Sequence, residues 1–545
     1  MMVQNFQRQR DSSLLLKLIC LSAIIIIANF LIGIIAPIFY DVDDEIGYLD
    51  TLWRVVRGQR VGVDYHNPMG FGPYQLGALL WHWLGPHYFV MRLAVTLFNL
   101  LIAFCGCIVA QRTFSRRADL ASLFCVTLAF QLSEPTIFGN HVLLGLSGFY
   151  NRQIVAALAV LFLQTFSTNS KLSSRENALE IALAALILNI LFLLKISGLV
   201  VGVMILLLGC LQGRVLHRLM NTCVALLAFG VITAIEFKLL GLELIPVIQD
   251  YELAAHARLT YSFMDLVRGV VFSGPLVGSV ALLVLFAVSK RPGEPPLNLP
   301  RIGLIIGSYA ASQYAMNQTN NWDPNMWLAP AAVTSLACID VRPTAQRTSW
   351  WPGFIHSGVA EISARDVIPF FIFVLILAPL IMASIIGTTV AGLVSLGIRT
   401  PYVVTAGKGV SFRLWSQTQR HAQVNDAVAA IASLNLGQEA IANLDIANPF
   451  PVLFLAPPPK GIQVWWDFGF NVPRDARLEW QSAIGDACVV TIPAQPFYRP
   501  EITSRLVEVV RPKLAGDFEM VYQDEFWRIY QKTSDCARSP RSEKP

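Results

Sequence analysis

Apolar residues run in long blocks as far as residue 390, and short polar stretches punctuate them. The blocks occupy residues 14–35, 89–110, 120–132, 154–166, 181–194, 196–211, 219–235, 270–288, 302–316, 326–339 and 367–390. About twenty apolar residues in helical form cross a bilayer core, so the pattern predicts about eleven transmembrane helices. Several blocks fall short of that length. Their ends must extend into interfacial residues or be sheltered by neighbouring helices.

Beyond residue 390 the apolar blocks shorten, and Pro, Asp and Arg return at ordinary frequencies. Residues 417–434 show the spacing of an amphipathic helix, and 502–510 that of a second. Residues 488–492 and 527–530 read as short strands. The segments Asn448-Pro449-Phe450-Pro451 and Pro457-Pro458-Pro459-Lys460-Gly461 predict a rigid loop. The fold class expected is therefore a polytopic α-helical membrane protein with a C-terminal soluble α/β domain. The membrane domain takes residues 1–392 and the soluble domain 393–545, an ordinary domain size.

Composition sharpens this picture. Hydrophobic residues make up 54% of the 545-residue chain and charged residues 14%, which excludes a soluble globular protein. The net charge of +5 points to no nucleic-acid partner, because Lys and Arg in cytoplasmic loops account for it. Arg8 and Arg10 precede the first block, which lacks a small-residue cleavage site and so reads as a retained anchor. With the N-terminus cytoplasmic, the inner loops hold Arg112, Arg116 and Arg117, Lys171 and Arg175, Arg214 and Arg218, Lys290, Arg291 and Arg301, and Arg342 and Arg347. The outer segments are 40–88, 133–149, 236–269 and 317–323, and an odd number of spans puts the C-terminal domain outside too. The expected location is a bacterial inner membrane. Seven of the nine cysteines sit in the apolar blocks, where they pack as small residues. Cys488 and Cys536 lie in the polar C-terminal part and could pair if it is extracytoplasmic.

The candidate chemistry gathers in the first outer loop, residues 40–88. Asp41-Val42-Asp43-Asp44-Glu45 follows the first block, then come Tyr48, Arg54, Arg57, Arg60 and His66. Tyr48, Leu52 and Val55 or Val56 have helical spacing, and Asp50 and Arg54 are four apart. A helix lying along the membrane surface with its acids at the start is expected. Acids at a helix N-terminus are also what the helix dipole favours in any solvated turn, so the cluster has a structural reading beside the chemical one. Glu134, in the next outer loop, is a second acid or a helix end. Asn140, His141, Tyr150 and Asn151 line a cavity or anchor the interface. Lys195 sits between two spans as a phosphate ligand or a snorkelling end residue. Trp465-Trp466-Asp467-Phe468-Gly469 could stack against sugars or belong to a core. Asp41 and Asp43 spell the DxD of nucleotide-sugar enzymes, a reading discounted because such donors are cytoplasmic. A divalent cation on Asp41, Asp43 or Asp44 stays open, since hard cations favour carboxylate oxygens.

Asp44-Glu45-Ile46-Gly47-Tyr48 resembles the Asp-Glu-x-x-Tyr sequence that follows the first span in GT-C glycosyltransferases. The segment Gly58 through Asp64 to Pro68, the Gly72-Pro73-Tyr74 that follows it, and Leu194-Lys195-Ile196-Ser197-Gly198 look like further family elements. The resemblance covers residues 14–390 in layout. It implies a GT-C-like membrane fold and an enzyme that moves a sugar from a polyprenyl-phosphate carrier to a hydroxyl of a glycan, lipid or protein acceptor at the extracytoplasmic face. It also implies that Asp44 is the general base or acceptor-orienting group, with Glu45 and Glu134 as further acids. A hydroxyl attacks well only if something takes its proton in the transition state. The departing phosphate needs cations, and Arg54, Arg57, His66, Arg152 and Lys195 are the candidates, with Tyr48 beside them.

Two rival classes stand against this reading: a transporter or flippase, and a non-catalytic envelope assembly protein. Transporters place ionisable groups near the bilayer midplane, whereas Arg92, Glu180, Lys195 and Glu236 lie near the ends of their blocks. The chain has no P-loop pattern.

Overall fold

A computed structural model describes residues 2–258 and 401–536, with a few helical positions between 382 and 393. Short breaks fall at 39–41, 68–69, 115–117, 134–135, 139–140, 144–145, 147, 167–173, 211–214, 408–409, 415–419, 470 and 535. The predicted spans at 270–288, 302–316 and 326–339 lie outside the described residues, as does most of 367–390.

The first half is helical. In chain order it comprises α1 (Met2–Ile35), α2 (Val42–Val56), β1 (Tyr65–His66), α3 (Gly72–Leu84), α4 (Phe89–Thr113) and α5 (Ala118–Leu132). A hairpin of β2 (Thr136–Phe138) and β3 (His141–Leu143) follows, then α6 (Phe149–Phe166), α7 (Ser174–Leu194), α8 (Ile196–Cys210), α9 (Val215–Leu240) and α10 (Leu244–Arg258). Each of the first seven apolar blocks is a helix. Helices α6 and α9 start four or five residues before their blocks, because polar residues such as Asn151 and Arg218 extend them. Among the described residues, Ser13–Ile35, Phe89–Thr113, Ser174–Leu194 and Arg218–Leu240 are long and apolar enough to cross a membrane. Leu120–Leu132 and Ile196–Cys210 are shorter apolar helices. Helix α6 is buried along nearly its whole length, with α4, α7 and α8 packed around it. On α1 and α9, in contrast, Ile24, Leu31, Leu227 and Leu239 are exposed, as suits a lipid-facing surface.

The C-terminal part begins with the hairpin β4 (Tyr402–Val404) and β5 (Phe412–Leu414). It continues through α11 (Val424–Ser433), β6 (Ile441–Asn443), α12 (Phe450–Phe454), β7 (Ile462–Gln463), α13 (Trp480–Ile484), β8 (Val489–Pro493), α14 (Pro500–Asp517), β9 (Phe518–Gln523) and β10 (Trp527–Lys532). Strands β6, β8, β10 and β9 form one mixed sheet in that order. β6 runs parallel to β8, and the other two neighbours pair antiparallel. Every residue of β8 is buried, as expected of a central strand covered on both faces. A disulfide joins Cys488, just before β8, to Cys536 after β10.

The two parts are stitched together at the loop after α1. β1 pairs parallel with β7, Tyr65 opposite Ile462 and His66 opposite Gln463. The Ile38 N–H donates to the Arg413 carbonyl at 2.7 Å. The Trp53 indole donates to the Ala456 carbonyl at 2.7 Å, and the Gln59 amide to that of Pro458 at 2.6 Å. The Pro-rich segment expected as a rigid loop thus offers a row of carbonyls to α2 and the residues just after it. Proline has no N–H of its own to satisfy, so its carbonyl is the group such a seam can use.

Candidate active site

Helix α2 is the axis of the site. Its first turn carries Asp43, Asp44 and Glu45, where negative charge meets the positive end of the helix dipole. Successive residues on a helix point about 100° apart, so the three acids meet three different environments.

Glu45 turns inward and is completely buried. It accepts a hydrogen bond from the Tyr88 hydroxyl at 2.7 Å and another from the Leu146 N–H. The Arg92 guanidinium of α4 lies 3.4 Å away and also donates to Tyr88 at 2.9 Å. A buried arginine in an apolar helix requires an acid, and Glu45 supplies it. Glu45 therefore ties α2, α4 and the approach to α6 together, and its carboxylate is engaged in that linkage. The sequence expectation of Glu45 as a second reacting acid gives way to this holding role. Arg92 and Tyr88, four apart at the start of an apolar block, were the signal that could have found it.

Asp43 faces the C-terminal part, where His421 Nε2 lies 2.7 Å from its carboxylate. Asp445 sits nearby in full burial. Burial raises the Asp445 carboxyl to about 6, against hydrogen bonds from the Phe497 and Ile446 N–H groups that pull it down. Neither His421 nor Asp445 carries a local sequence signal, because both reach Asp43 only through the tertiary fold.

Asp44 is half-buried, with one carboxylate oxygen 3.4 Å from the Tyr48 hydroxyl one turn on. Tyr48 is fully buried against Phe149 (5.0 Å between ring centroids), Trp465 (5.4 Å) and Tyr74 (6.5 Å). Burial, then the Asp44 charge, pushes the Tyr48 hydroxyl well above its ordinary value, so it stays protonated and donates. Tyr150 and Tyr74 are close enough to act on Tyr48 electrostatically, and Lys195 Nζ stands 5.1 Å from the centroid of the Tyr150 ring. Lys195 is 4% exposed and occupies the break between α7 and α8. Arg152, on α6 two residues past Tyr150, is buried as well. The structure thus brings Asp44, Tyr48, Tyr150 and Lys195 into one neighbourhood. The Gly70 N–H caps the Leu194 carbonyl at 3.0 Å, and a Cβ on Gly70 would overlap the backbone of Leu193 and Leu194. Only glycine lets the loop approach that break so closely.

The other expected cations are elsewhere. Arg54 lies ten residues past Asp44, about 15 Å along the helix, and is fully buried. It donates to Asp50 at 3.0 Å, Gln59 at 3.1 Å and the Pro459 carbonyl at 2.6 Å. This corrects its expected role at a phosphate: the i,i+4 partner Asp50 and the proline carbonyls hold it inside the seam. Arg57, past the helix end, is exposed, with its guanidinium 5.6 Å from the Trp53 ring centroid. It is still farther from Asp44. His66 is 42% exposed with Nδ1 2.7 Å from Asp250 of α10, whose other oxygen accepts from the Asn67 N–H at 3.1 Å. That bond raises the His66 pKa, with burial opposing it. Asp41, Glu134 and Asn140 lie outside the described residues.

No protein-family description matches the sequence, and no curated protein matches it. Solved structures do match in three dimensions. ArnT from Cupriavidus metallidurans in its apo state superposes with a TM-score of 0.50 at 13% identity, over 94% of this chain and 97% of that one. The same protein bound to undecaprenyl phosphate gives 0.48 at 13% identity, over 95% and 98%. At such identity the likeness speaks for the fold. Over 94% of its length the chain shares the fold of ArnT.

Proposed function

We propose that this protein is a membrane glycosyltransferase that moves a sugar from a polyprenyl-phosphate donor to an acceptor hydroxyl on the extracytoplasmic face. The observation that carries the reading is the half-buried Asp44, set at the start of α2 beside a protonated Tyr48, with the Lys195 amine nearby across Tyr150.

The chemistry follows from those groups. The acceptor oxygen bonds to the anomeric carbon of the sugar while the bond from that carbon to the carrier phosphate breaks. The electron pair leaves with the phosphate, and Asp44 takes the hydroxyl proton. Tyr48 donates to Asp44 and steadies its orientation. Lys195 and Arg152 are the buried cations suited to the negative charge gathering on the phosphate, where a low-dielectric setting strengthens their effect. ArnT holds a lipid of the proposed carrier class, undecaprenyl phosphate. The extracytoplasmic placement draws on the Cys488–Cys536 disulfide, since such bonds persist in oxidising compartments, and on the Lys/Arg bias of the loops. An inner-membrane location belongs to the same proposal.

The test is sugar transfer by the purified full-length chain from a panel of polyprenyl-phosphate sugars. Asp44→Asn keeps the shape of the side chain and removes its basicity. Transfer should fall about 10²–10⁴-fold, with the melting temperature unchanged. Wild-type transfer rates in that variant would overturn the reading. A transporter would instead move the labelled lipid across vesicles without making a glycoside.

A further inference from the structure

Trp465 comes from the C-terminal part yet stands at the Asp44 site. It is 5% exposed, and its ring lies 5.4 Å from Tyr48. The edge that carries Nε1 rests on Gly47, where a Cβ would overlap the indole. Gly47 and Tyr48 follow Asp44 by three and four positions, so all three share one face of α2.

The indole N–H meets no acceptor among the described residues. Trp53 shows the ordinary alternative in the same seam, its N–H donating to the Ala456 carbonyl at 2.7 Å. A buried donor left without a partner is costly, and buried tryptophans usually find one. The vacant donor therefore points to an oxygen that arrives with a ligand. Charge narrows the kind of oxygen. Asp43, Asp44 and Asp445 gather at this end of α2, whereas the cation suited to a phosphate, Lys195, stands across Tyr150. A neutral hydroxyl is accommodated, since it can accept from the indole while donating to a carboxylate. Asp44 precedes Gly47, on which the indole rests, by three positions, about 4.5 Å of helix rise, so the carboxylate and the indole border the same stretch of α2.

We propose that Trp465 is a substrate-binding residue of the Asp44 site, its indole N–H donating to the acceptor hydroxyl whose proton Asp44 receives. The C-terminal part then completes the site by fixing the nucleophile. This rests on the transferase reading above.

Replacing Trp465 with 3-benzothienylalanine puts sulfur in place of the N–H and preserves ring shape, so folding is kept. Trp465→Phe is the genetic counterpart. Both are assayed in the full-length chain with a polyprenyl-phosphate sugar that the wild type uses, varying acceptor and donor separately. The expected result is a loss of about tenfold in kcat/KM for the acceptor, an unchanged KM for the donor lipid, and a wild-type melting temperature. Wild-type acceptor kinetics in the benzothienyl protein, with Asp44→Asn still inactive, overturn the Trp465 assignment and leave the transferase reading standing. A wild-type chain that transfers from no member of the panel overturns both.

Discussion

The two ends of α2 handle charge in opposite ways. At its C-terminal end Asp50 and Arg54 are completely buried, 3.0 Å apart, and sealed under Pro459 and Gln59. At its N-terminal end Asp44 keeps partial exposure beside the aromatic cluster. One short helix therefore carries a fully buried ion pair and a half-exposed acid. What separates them is access, because both ends are rich in ionisable groups. A carboxylate shut away from solvent against a fixed cation is out of a substrate's reach. Glu45 teaches the same lesson one residue from Asp44, held by Tyr88 and the Leu146 N–H.

The comparison can be broken from either end. The largest expected effect is at the open end, the hundredfold or greater loss of transfer in Asp44→Asn with stability intact. The sealed end should respond the other way round. Arg54→Leu leaves Asp50 buried without its cation, a change that costs about 3–5 kcal/mol and is read as a fall in melting temperature in detergent. Burial already raises the Asp50 pKa, and Arg54 opposes that shift. Without Arg54 the carboxyl protonates more readily, so the damage should shrink as pH is lowered. Asp50→Asn added to Arg54→Leu should recover part of the loss. A third substitution sharpens the view of the seam. Trp53→Phe removes one hydrogen bond to Ala456 and should cost about 1 kcal/mol with little change in kcat.

The smallest effect concerns His66 and Asp250. The bond to Asp250 lifts the His66 pKa above its ordinary value. Its stabilisation is therefore fully present below the unfolded value near 6.5 and is lost as pH rises through the higher folded value. Melting temperatures of wild type and His66→Asn should differ at pH 6 and converge at alkaline pH. The difference will be modest, since the imidazole is 42% exposed and solvent screens the pair.

Much of this was legible in the residues alone. The apolar blocks at 14–35, 89–110 and 181–194 are helices, because a bilayer-length apolar run has little else to form. The acids at 43–45 begin a helix as the dipole favours. In the C-terminal part, the apolar spacing of 502–510 lies within α14, and 488–492 overlaps β8. Long-range partnership was not legible. Arg54, on the helix expected along the membrane surface, looked available to a phosphate because Pro458 and Pro459 lie some four hundred positions away and advertise nothing about where they dock. Asp50 at i,i+4 was the local hint that Arg54 was already taken. Trp465 was open between stacking and core for the same reason: a wall built from a distant segment has no periodicity to detect.

That distance has a consequence in time. The hydrogen bonds that finish the loop after α1 join residues 53–59 to partners 399–405 positions downstream. During synthesis the ribosome makes the acids of α2 early and the strand that pairs with β1 near the end. Contacts so far apart form late, so α2 and its acids must wait, bare of their cover, until the last fifth of the polypeptide has emerged. The seam over α2 therefore closes only once residues 456–459 have been made.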